Sequence, residues 1–341
     1  MKAVFIDIGS TYIKYRFNRG NIEKIPFPMR RARQPFFEAD AEEISAAVQG
    51  ILNKFPFADA AFFSVQMHGY VLRKKNGKLL PYVSWRDRRA EGVSFSDAAP
   101  PPRSGTSLKA NSPRISVLYR VFTGELRAEE LDEIFTLGSF IVWRLTGLNA
   151  THITDAAPLG MYDLEGGSHP VFGLKLPQTA ETVRCFGKYK NIRIYAPVGD
   201  VQAAIYSLPA DLRENSAVLN LGTAAQICVV GGGYIEFGKA LYECRPFFQG
   251  QYLYTATGLN GGDWIGRNAF RAEAVRETAE NYRAALGTLP RKDGLAVVGG
   301  GVAEYHGEFL RQTLERLQKP YIFTKASALG GLLKLTETIH E

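Results

Sequence analysis

The sequence contains few cysteines and no long apolar run. Its three cysteines, Cys185, Cys228 and Cys244, have no CxxC spacing and match neither a disulfide framework nor a zinc site. The longest apolar runs, which begin at Ala3 and around Ala217, have the length of a strand and are far shorter than a bilayer-spanning helix. An acid inside the first run and the lack of a small-residue cleavage site argue against a secretion signal. We therefore expect a cytoplasmic protein without a membrane segment.

Several common site motifs are also absent. No complete GxGxxG, GxSxG or HExxH occurs, which removes the usual sequence grounds for a dehydrogenase, an α/β-hydrolase or a zinc protease. Residues 233–240 have P-loop spacing, but Ala240 stands where Ser or Thr must ligate Mg²⁺. The net charge of +7 is spread over short basic clusters, without a helix-turn-helix or aromatic-basic motif. We therefore expect no nucleic acid as a partner, and an anionic substrate explains the charge as well.

Length and composition favour two globular domains. At 341 residues the chain is too long for one ordinary domain and short for three. Apolar runs predict strands at residues 3–8, 12–17, 60–65, 192–196, 217–221, 227–230 and 295–298. Apolar residues at helical spacing predict helices after residue 39 and at 114–122, 131–145 and 267–285. A mixed α/β class follows from this alternation.

One segment near the start is echoed in the second half of the chain. Residues 5–11, FIDIGST, are matched by residues 218–224, VLNLGTA. Each segment is an apolar strand followed by a turn of glycine and hydroxyl residues, and then by a second apolar strand. The repetition of one supersecondary unit about two hundred residues apart predicts two similarly folded domains.

The residues of these turns suit the binding of phosphate. Glycine lets the backbone approach a ligand closely, and neighbouring amides and hydroxyls can donate hydrogen bonds to phosphate oxygens. The turn residues are Gly9, Ser10 and Thr11 in the first half, and Gly222 and Thr223 in the second. Two facing turns would clamp phosphates, and Asp7 could hold Mg²⁺ directly or through water. The alternative is a pair of ordinary hairpins with an incidental acid.

A third glycine element follows the strand predicted at residues 295–298. It consists of Gly299, Gly300 and Gly301, and a helix is expected to begin near Val302. Nucleotides commonly lie against such backbone. Close packing of the strand on the helix is the alternative interpretation.

Together these segments resemble the FGGY carbohydrate kinases of the actin-like ATPase superfamily, from Phe5 to the last helix. Residues 7–11 with Lys14 resemble the family's first phosphate motif, and residues 219–223 resemble the second. Residues 299–301 are similar to its adenosine motif.

The sugar-contacting motifs of the family also have counterparts. Residues 64–69 resemble the QMHG segment of xylulokinases and sedoheptulokinases, and residues 85–88 resemble their WxDxR motif. Asp200 resembles the catalytic aspartate. Residues 199–207 and 258–262 are closer to sedoheptulokinase than to xylulokinase.

The resemblance implies an α/β fold of two actin-like (ribonuclease H-like) domains with an active-site cleft between them. The sugar-binding domain would span residues 1–198, and the nucleotide-binding domain would span residues 199–341. The implied activity is transfer of phosphate from ATP, with Mg²⁺, to a ketose such as sedoheptulose or the pentulose xylulose. A catalytically silent sugar- or nucleotide-binding sensor is the alternative, and retention of Asp7, Asp200 and both turns argues for activity. The sequence leaves open whether the chain forms a homodimer.

The resemblance also assigns roles to individual residues. Asp200 would be the general base, although it could instead cap a helix beginning at Val201. The implied sugar-binding residues are Gln66, Met67, His68, Trp85, Asp87, Asp200, Gln202 and Asn260. Core packing and a surface salt bridge are the alternatives for Trp85 and Asp87, and a structural role is the alternative for His68. We expect Asp155 to be structural.

Overall fold

A computed structural model describes residues 1–93, 103–235 and 242–339. The proline-rich stretch at 98–102, whose composition predicts a loop, lies outside the described residues, as does the end of the P-loop-like segment at 233–240. The chain divides into two units. The first comprises Met1–Ala203 and Ala328–Glu341, and the second comprises Ala204–Ser327.

The described residues form strands and helices that are numbered here in chain order. The strands are β1 (Ala3–Ile8), β2 (Tyr12–Phe17), β3 (Glu23–Pro26), β4 (Met29–Arg33), β5 (Phe36–Ala39), β6 (Ala60–Val65), β7 (Tyr70–Lys74), β8 (Tyr82–Val83), β9 (Leu131–Thr136), β10 (Ala150–His152), β11 (Tyr162–Asp163), β12 (Gly167–Ser168), β13 (Gln178–Ala180), β14 (Cys185–Tyr189), β15 (Ile192–Tyr195), β16 (Val198–Gly199), β17 (Ser216–Leu221), β18 (Ala225–Gly231), β19 (Tyr242–Pro246), β20 (Tyr252–Leu259), β21 (Gly294–Val298) and β22 (Tyr321–Phe323). The helices are α1 (Ala41–Asn53), α2 (Pro113–Phe122), α3 (Leu137–Thr146), α4 (Ile153–Ala156), α5 (Asp200–Tyr206), α6 (Ala210–Asn215), α7 (Gly262–Asn268), α8 (Ala274–Thr288), α9 (Gly300–Tyr305), α10 (Gly307–Arg316) and α11 (Ala328–Leu335). Short 3₁₀ turns lie at Ala128–Glu130, Ala157–Leu159 and Thr336–Thr338.

The main sheet of the first unit has β1 near its centre. Its order is β14-β15-β6-β1-β2-β3, and β16 also pairs with β6. β1 runs antiparallel to β2 and parallel to β6, and β15 and β16 run parallel to β6 as well. Every residue of β1 and β6 is buried, which explains why both segments are continuous apolar runs in the sequence. Apolar residues of α1 and α3 complete the core around this sheet.

A second, antiparallel sheet of the first unit has the order β4-β5-β8-β7-β9. Its core includes Tyr70 and Leu72 of β7 and Ile134 of β9, and it is covered by Val117 of α2. Strand β7 of this sheet follows directly after the segment that was predicted to contact a sugar.

The sheet of the second unit repeats the arrangement of the main sheet of the first. Its order is β19-β20-β18-β17-β21-β22, with β17 antiparallel to β18 and parallel to β21. Each of the two sheets therefore has a central strand with its hairpin partner on one side and parallel strands on the other. The predicted internal repeat is confirmed by this shared topology.

The prediction of a helix at residues 131–145 is wrong for residues 131–136. Residues 131–136 form β9, which pairs antiparallel with β7, and the helix begins only at Leu137. The side chain of Thr136 accepts a hydrogen bond from the Ser139 amide, and the Ser139 hydroxyl accepts one from the Thr136 amide. This capping box fixes the start of α3, while pairing with β7 holds the preceding apolar residues in a strand.

The helix predicted at residues 267–285 is interrupted. α7 ends at Asn268 and α8 begins at Ala274. The Asn268 side chain donates to the Trp264 carbonyl at 2.8 Å and accepts from Arg271 at 3.1 Å. Such side-chain hydrogen bonds compete with the helical pattern, and they lie at the position where the two helices separate.

The last helix belongs to the first unit. The boundaries expected from the sequence, 1–198 and 199–341, placed it with the second domain. In the structure α11 packs on β1 and β6, and its residues Leu329, Leu332 and Leu335 are buried. The first sheet is therefore covered by apolar residues from the opposite end of the chain, and the boundary between the units falls within α5.

We expect Gly331→Ala to weaken this packing. A methyl group at Gly331 would overlap the carbonyl oxygen of Ala203, so the substitution should lower the free energy of unfolding by about 1–3 kcal/mol. Gly50→Ala in α1 is the matched control, because nothing lies near its added methyl group. It should raise the free energy of unfolding by roughly 0.5–1 kcal/mol. Urea denaturation of both variants measures the difference, and equal effects would contradict the packing of α11 described above.

Candidate active site

Three neighbouring parallel strands of the first unit end at one edge of the main sheet. In the register of β1, β6 and β16, Asp7 lies beside Ser64, and Ser64 lies beside Val198. The chain continues from these strand ends into the Gly9 turn, into the segment Gln66, Met67 and His68, and into Asp200, respectively. We call this group of residues the carboxyl edge. Residues predicted to bind phosphate, to bind sugar and to act as the base therefore share one edge of a single sheet.

The first turn leaves its hydroxyls available. The Gly9 amide donates to the Tyr12 carbonyl at 3.1 Å, and a methyl group at position 9 would crowd that oxygen at 3.2 Å. Among the described residues, the hydroxyls of Ser10 and Thr11 have no hydrogen-bond partner, and Thr11 is exposed. Lys14 is also largely exposed, on the strand that follows. These polar groups can donate hydrogen bonds to an anion.

Asp7 is buried at the end of β1. Its Oδ1 atom accepts a hydrogen bond from the Ser64 hydroxyl at 2.8 Å, and its Oδ2 atom lies 3.9 Å from Lys14 Nζ. Burial raises the pKa of Asp7, and the Ser64 hydrogen bond and the Lys14 charge oppose this effect. Within the described ranges, no group of three or more His, Cys, Asp or Glu side chains is arranged so that it could hold a metal ion. A cation here would have one carboxylate, which fits Mg²⁺, since this ion often keeps several waters and phosphate oxygens.

The segment after β6 holds Gln66 against the first turn. The Gln66 amide donates to the Ile8 carbonyl at 2.9 Å, and its side-chain Nε2 donates to the Gly9 carbonyl at 3.3 Å. The Gln66 Oε1 atom is buried and has no hydrogen-bond partner among the described residues. An unpaired buried carbonyl costs roughly 1–3 kcal/mol, which a ligand hydroxyl would recover.

His68 has an unusual backbone conformation, and Gly69 is closely packed. His68 is half-buried and has a φ of 62°, a left-handed conformation that is uncommon for a residue with a side chain. At Gly69, an added methyl group would overlap the hydroxyl of the buried Tyr82. Glycine is therefore required at position 69 for the turn that presents His68. Met67 is itself buried and lies against Gly199.

Asp200 is the first residue of α5 and is half-buried. Its Oδ1 atom accepts a hydrogen bond from the amide of the next residue, Val201, at 2.8 Å. The Gly199 amide just before it donates to the Thr154 hydroxyl at 3.1 Å. Gln202, one turn into the helix, is fully buried beside Gly199. The carboxylate thus stands at a fixed place on the carboxyl edge.

Asp87 is engaged in a buried ion pair. Its Oδ1 atom accepts from the Arg89 amide at 3.1 Å and from Arg89 Nε at 2.8 Å. Its Oδ2 atom accepts from the Phe37 amide at 2.9 Å and from Arg89 Nη2 at 3.0 Å. All four acceptor positions of the carboxylate are used, so these contacts favour a structural role for Asp87. Trp85 is half-buried, and its carbonyl accepts from the Asn111 side chain at 2.8 Å.

In the second unit, a pair of glycines holds the second turn. Gly222 and Thr223 are exposed, and their carbonyls accept from the amides of Gly262 at 2.9 Å and Asp263 at 3.0 Å. A methyl group at Gly261 would overlap the backbone of Ala224. Gly261 and Gly262 therefore belong to the site, although sequence reasoning used them only to compare families. Two consecutive glycines often mark a close approach between two backbone segments, and this pair could have predicted the contact with the second turn.

The third glycine element lies beside the second turn. β17 and β21 are parallel, with Asn220 beside Val298, so Gly299 follows the strand next to the one that ends at the second turn. Gly300 has a φ of 47°, and a methyl group at Gly299 would overlap Ala303. The chain can therefore make this bend only with small residues. Gly301 is the second residue of α9.

Asn260 is bound to α8. Its backbone N–H donates to Asn281 Oδ1 at 3.0 Å, and its side-chain Nδ2 donates to Thr278 Oγ1 at 3.3 Å. The Asn260 carbonyl accepts from the Tyr282 hydroxyl at 2.6 Å. These contacts indicate that Asn260 anchors the loop before α7.

Comparison with known proteins supports the fold. No protein-family model matches the chain. An uncharacterized sugar kinase from Archaeoglobus fulgidus is 28% identical over 148 residues, which cover 38% of this chain and 30% of that protein. The match thus spans less than a third of the length of that curated relative.

Solved kinase structures match almost the whole chain. The ligand-bound xylulose kinase from Lactobacillus acidophilus has a TM-score of 0.83 at 16% identity, covering 100% of this chain and 90% of its own. Gluconate kinase from the same organism has a TM-score of 0.79 at 16% identity, covering 98% and 88%. Plasmodium falciparum glycerol kinase with ADP has a TM-score of 0.75 at 14% identity, covering 100% and 91%. The chain has the fold of these kinases, and the predicted fold class is confirmed.

No helix of the described residues is both long enough and apolar enough to cross a bilayer.

Asp155 lies behind the carboxyl edge, where it is fully buried. Its Oδ2 atom accepts hydrogen bonds from the hydroxyls of Thr136 and Thr151, the latter at 2.7 Å. Burial raises its pKa to about 7, and the two hydroxyl hydrogen bonds oppose the rise. An unfolded Asp titrates near pH ~4, so between about pH 4 and pH 7 the folded state holds a proton that the unfolded state has lost. The contribution of this group to stability therefore falls as the pH rises through that range.

We expect Asp155→Asn to remove this pH dependence. The amide oxygen can still accept from both threonines, but the group no longer titrates. The free energy of unfolding of the variant, relative to the unsubstituted protein, should rise from pH 5 to pH 7 by roughly 1.4 kcal/mol per pH unit. Urea denaturation at several pH values measures this. Asp163→Asn is the control, since the lowered pKa of Asp163 should give a constant difference above pH 5. If the free energies of unfolding of Asp155→Asn and of the unsubstituted protein changed in parallel with pH, the raised pKa of Asp155 would be contradicted.

Proposed function

We propose that this protein is an ATP-dependent carbohydrate kinase that phosphorylates a ketose, sedoheptulose or a pentulose such as xylulose. The observation that carries the proposal is the carboxyl edge, where a glycine-hydroxyl turn, the Gln66 segment and Asp200 follow adjacent strands. The fold shared with xylulose, gluconate and glycerol kinases supports the reaction class. The partial match to a sugar kinase supports the choice of substrate class.

In this proposal the glycine turns bind the phosphates of ATP. In the first unit, the hydroxyls of Ser10 and Thr11 donate hydrogen bonds to phosphate oxygens, and Lys14 supplies positive charge. In the second unit, the exposed turn at Gly222 and Thr223 does the same with its amides and hydroxyl. The bend at residues 299–301 lies on the neighbouring strand end and would receive the nucleoside, because its backbone carries no large side chains.

Asp7 is the residue that would hold Mg²⁺. The ion would supply positive charge to the phosphates, which carry most of the charge in phosphoryl transfer. A buried carboxylate with a raised pKa gains from a nearby cation, which favours its ionised form. Ser64 orients one oxygen of Asp7 and leaves the other directed toward the side of Lys14.

The sugar is proposed to bind at the segment after β6. The unpaired Gln66 Oε1 accepts a hydrogen bond from a sugar hydroxyl, and His68 is presented by its left-handed backbone. The half-buried Trp85 ring offers an apolar face to the sugar. Asp87 and Gln202 are buried, and we assign Asp87 to holding residues 85–89 against β5 through the Phe37 amide, and Gln202 to positioning α5.

Asp200 is proposed as the general base. Its carboxylate accepts the proton of the attacking sugar hydroxyl while the sugar oxygen forms a bond to the γ-phosphorus. The bond between that phosphorus and the β–γ bridging oxygen breaks, and ADP leaves with the electron pair. The hydrogen bond from the Val201 amide holds the carboxylate in one orientation during this transfer.

Replacing Asp200 by Asn should remove the proton acceptor and keep the shape. We expect Asp200→Asn to lower kcat by about 10²–10⁴-fold. Steady-state kinetics measure the change, with thermal denaturation to show that the fold persists. Asp211→Asn, at an exposed acid of α6, is the control and should leave kcat unchanged. An Asp200→Asn variant with full activity would rule out the general-base role.

Replacing Gln66 by Met should affect sugar binding more than turnover. The substitution keeps the length of the side chain but removes the buried carbonyl, so KM for the sugar should rise about tenfold. Gln49→Met, on the surface of α1, should leave KM unchanged. An unaltered KM in Gln66→Met would show that the Gln66 oxygen does not contact the sugar.

A screen of ATP consumption over ketoses, aldoses and polyols tests the function itself. We expect ADP release above the sugar-free background, with ketoses giving the highest kcat/KM. Calorimetric titration of the same sugars accompanies the screen. Sugar binding without turnover of any candidate would favour the catalytically silent sensor, and preference for an aldose or polyol would overturn the ketose assignment.

A further inference from the structure

We propose that His152 and Thr154 are positioning residues for Asp200, acting through the backbone amide of Gly199. The inference rests on the proposed kinase activity, in which Asp200 is the base. It concerns a chain of hydrogen bonds behind the carboxyl edge whose members do not themselves contact the substrate.

The chain of hydrogen bonds has three links. His152 Nε2 lies 2.9 Å from the carbonyl oxygen of Glu181, and His152 Nδ1 lies 2.9 Å from Thr154 Oγ1. The Gly199 amide donates to the same Thr154 Oγ1 at 3.1 Å. His152 and Thr154 are fully buried, so their polar groups depend on these partners.

The first link fixes the direction of the others. A carbonyl oxygen can only accept, so His152 Nε2 carries the hydrogen and donates to Glu181. His152 Nδ1 is then an acceptor in the neutral ring, and it receives the Thr154 hydroxyl hydrogen and the Thr154 amide at 3.2 Å. A lone pair of the Thr154 oxygen is thereby directed to the Gly199 amide. Burial lowers the pKa of His152 to about 4, which keeps the ring neutral near pH 7.

Gly199 can be held only through its backbone. A methyl group at this position would lie 2.6 Å from Gln202 Oε1 and 2.7 Å from Met67 Sδ, so the site accepts no side chain. β16 has only two residues, and its pairing with β6 fixes one side of this short segment. On the other side, the Pro197 carbonyl accepts from the His152 amide at 3.1 Å. The Thr154 hydroxyl therefore fixes the Val198–Gly199 peptide, one residue before the proposed base.

The position of the base should be sensitive to this contact. Without the Thr154 hydroxyl, the buried Gly199 amide would lose its acceptor, and the Val198–Gly199 peptide would be held only on the side that pairs with β6. A displacement of about 1 Å at a reacting group can cost ~10²-fold in rate. Sugar and nucleotide would still bind, because their proposed contacts with Gln66, His68 and the glycine turns lie outside this chain of hydrogen bonds.

Three threonine variants test the inference. Thr154→Val removes the hydroxyl at nearly constant volume and should lower kcat by about 10- to 100-fold, with KM for the sugar within about threefold. Thr154→Ser keeps the hydroxyl and should restore kcat to within about threefold of the unsubstituted protein. Thr313→Val is the matched control, since Thr313 is equally buried but bonds its own helix at the Phe309 carbonyl, and it should leave kcat unchanged. Melting temperatures are measured for all three.

Nitrogen NMR of the imidazole rings gives a second readout that does not depend on activity. In the ¹⁵N-labelled unsubstituted protein, assigned by His152→Gln, His152 should be neutral with the hydrogen on Nε2. Thr154→Val should shift the Nδ1 resonance, because this atom loses a donor. A hydrogen on Nδ1 would overturn the inference even if Thr154→Val did not fold.

The outcomes separate this inference from the proposed function. An active unsubstituted protein with unchanged kcat in Thr154→Val would overturn the positioning role and leave the kinase assignment intact. An equal loss of kcat in Thr154→Ser and Thr154→Val would also overturn it. An inactive unsubstituted protein with every sugar would overturn the proposed function, and with it any role in positioning a base.

Discussion

The candidate site depends on the register of three buried parallel strands. Asp7, Ser64 and Val198 lie side by side on β1, β6 and β16, so the segments that follow these strands begin at the same level. A shift of one residue in β6 would turn Ser64 away from Asp7, because side chains alternate between the two faces of a strand. The continuous burial of β1 and β6 makes such a shift costly. The geometry of the site is thus a consequence of core packing.

The sequence was most informative where local patterns and burial agree. Continuous apolar runs predicted β1, β6 and β17, and the residues that follow them are those with glycine and polar side chains. The strand β9 was missed because its apolar residues also fit a helical spacing, and only pairing with β7 distinguishes the two. The expected boundary at residue 199 placed the last helix with the second domain. Its contacts with β1 are tertiary contacts, which leave no local pattern in the sequence.

Individual roles were harder to predict than positions. Asp87 stands in a motif that implies sugar binding, yet its four acceptor positions are used by Arg89 and by the amide of Phe37, which is 50 residues away. Thr154 carries no motif, and its contact with Gly199 joins residues 45 apart in the chain. A hydrogen-bond partner so distant in sequence leaves no periodic signal. The polar Ser64 within the otherwise apolar strand β6 was a signal that could have predicted a hydrogen-bond partner such as Asp7.

The two repeated units differ at the polar residue that lies two positions before the glycine of each turn. At equivalent places before their turns, the first unit has Asp7 and the second has Asn220. A carboxylate can hold a cation but repels phosphate, whereas an amide is neutral toward both. With only one acid in the pair, the second turn can bind an anion without a compensating cation. In the proposed function, the first turn would therefore bind phosphate together with a cation, and the second turn would bind it without one.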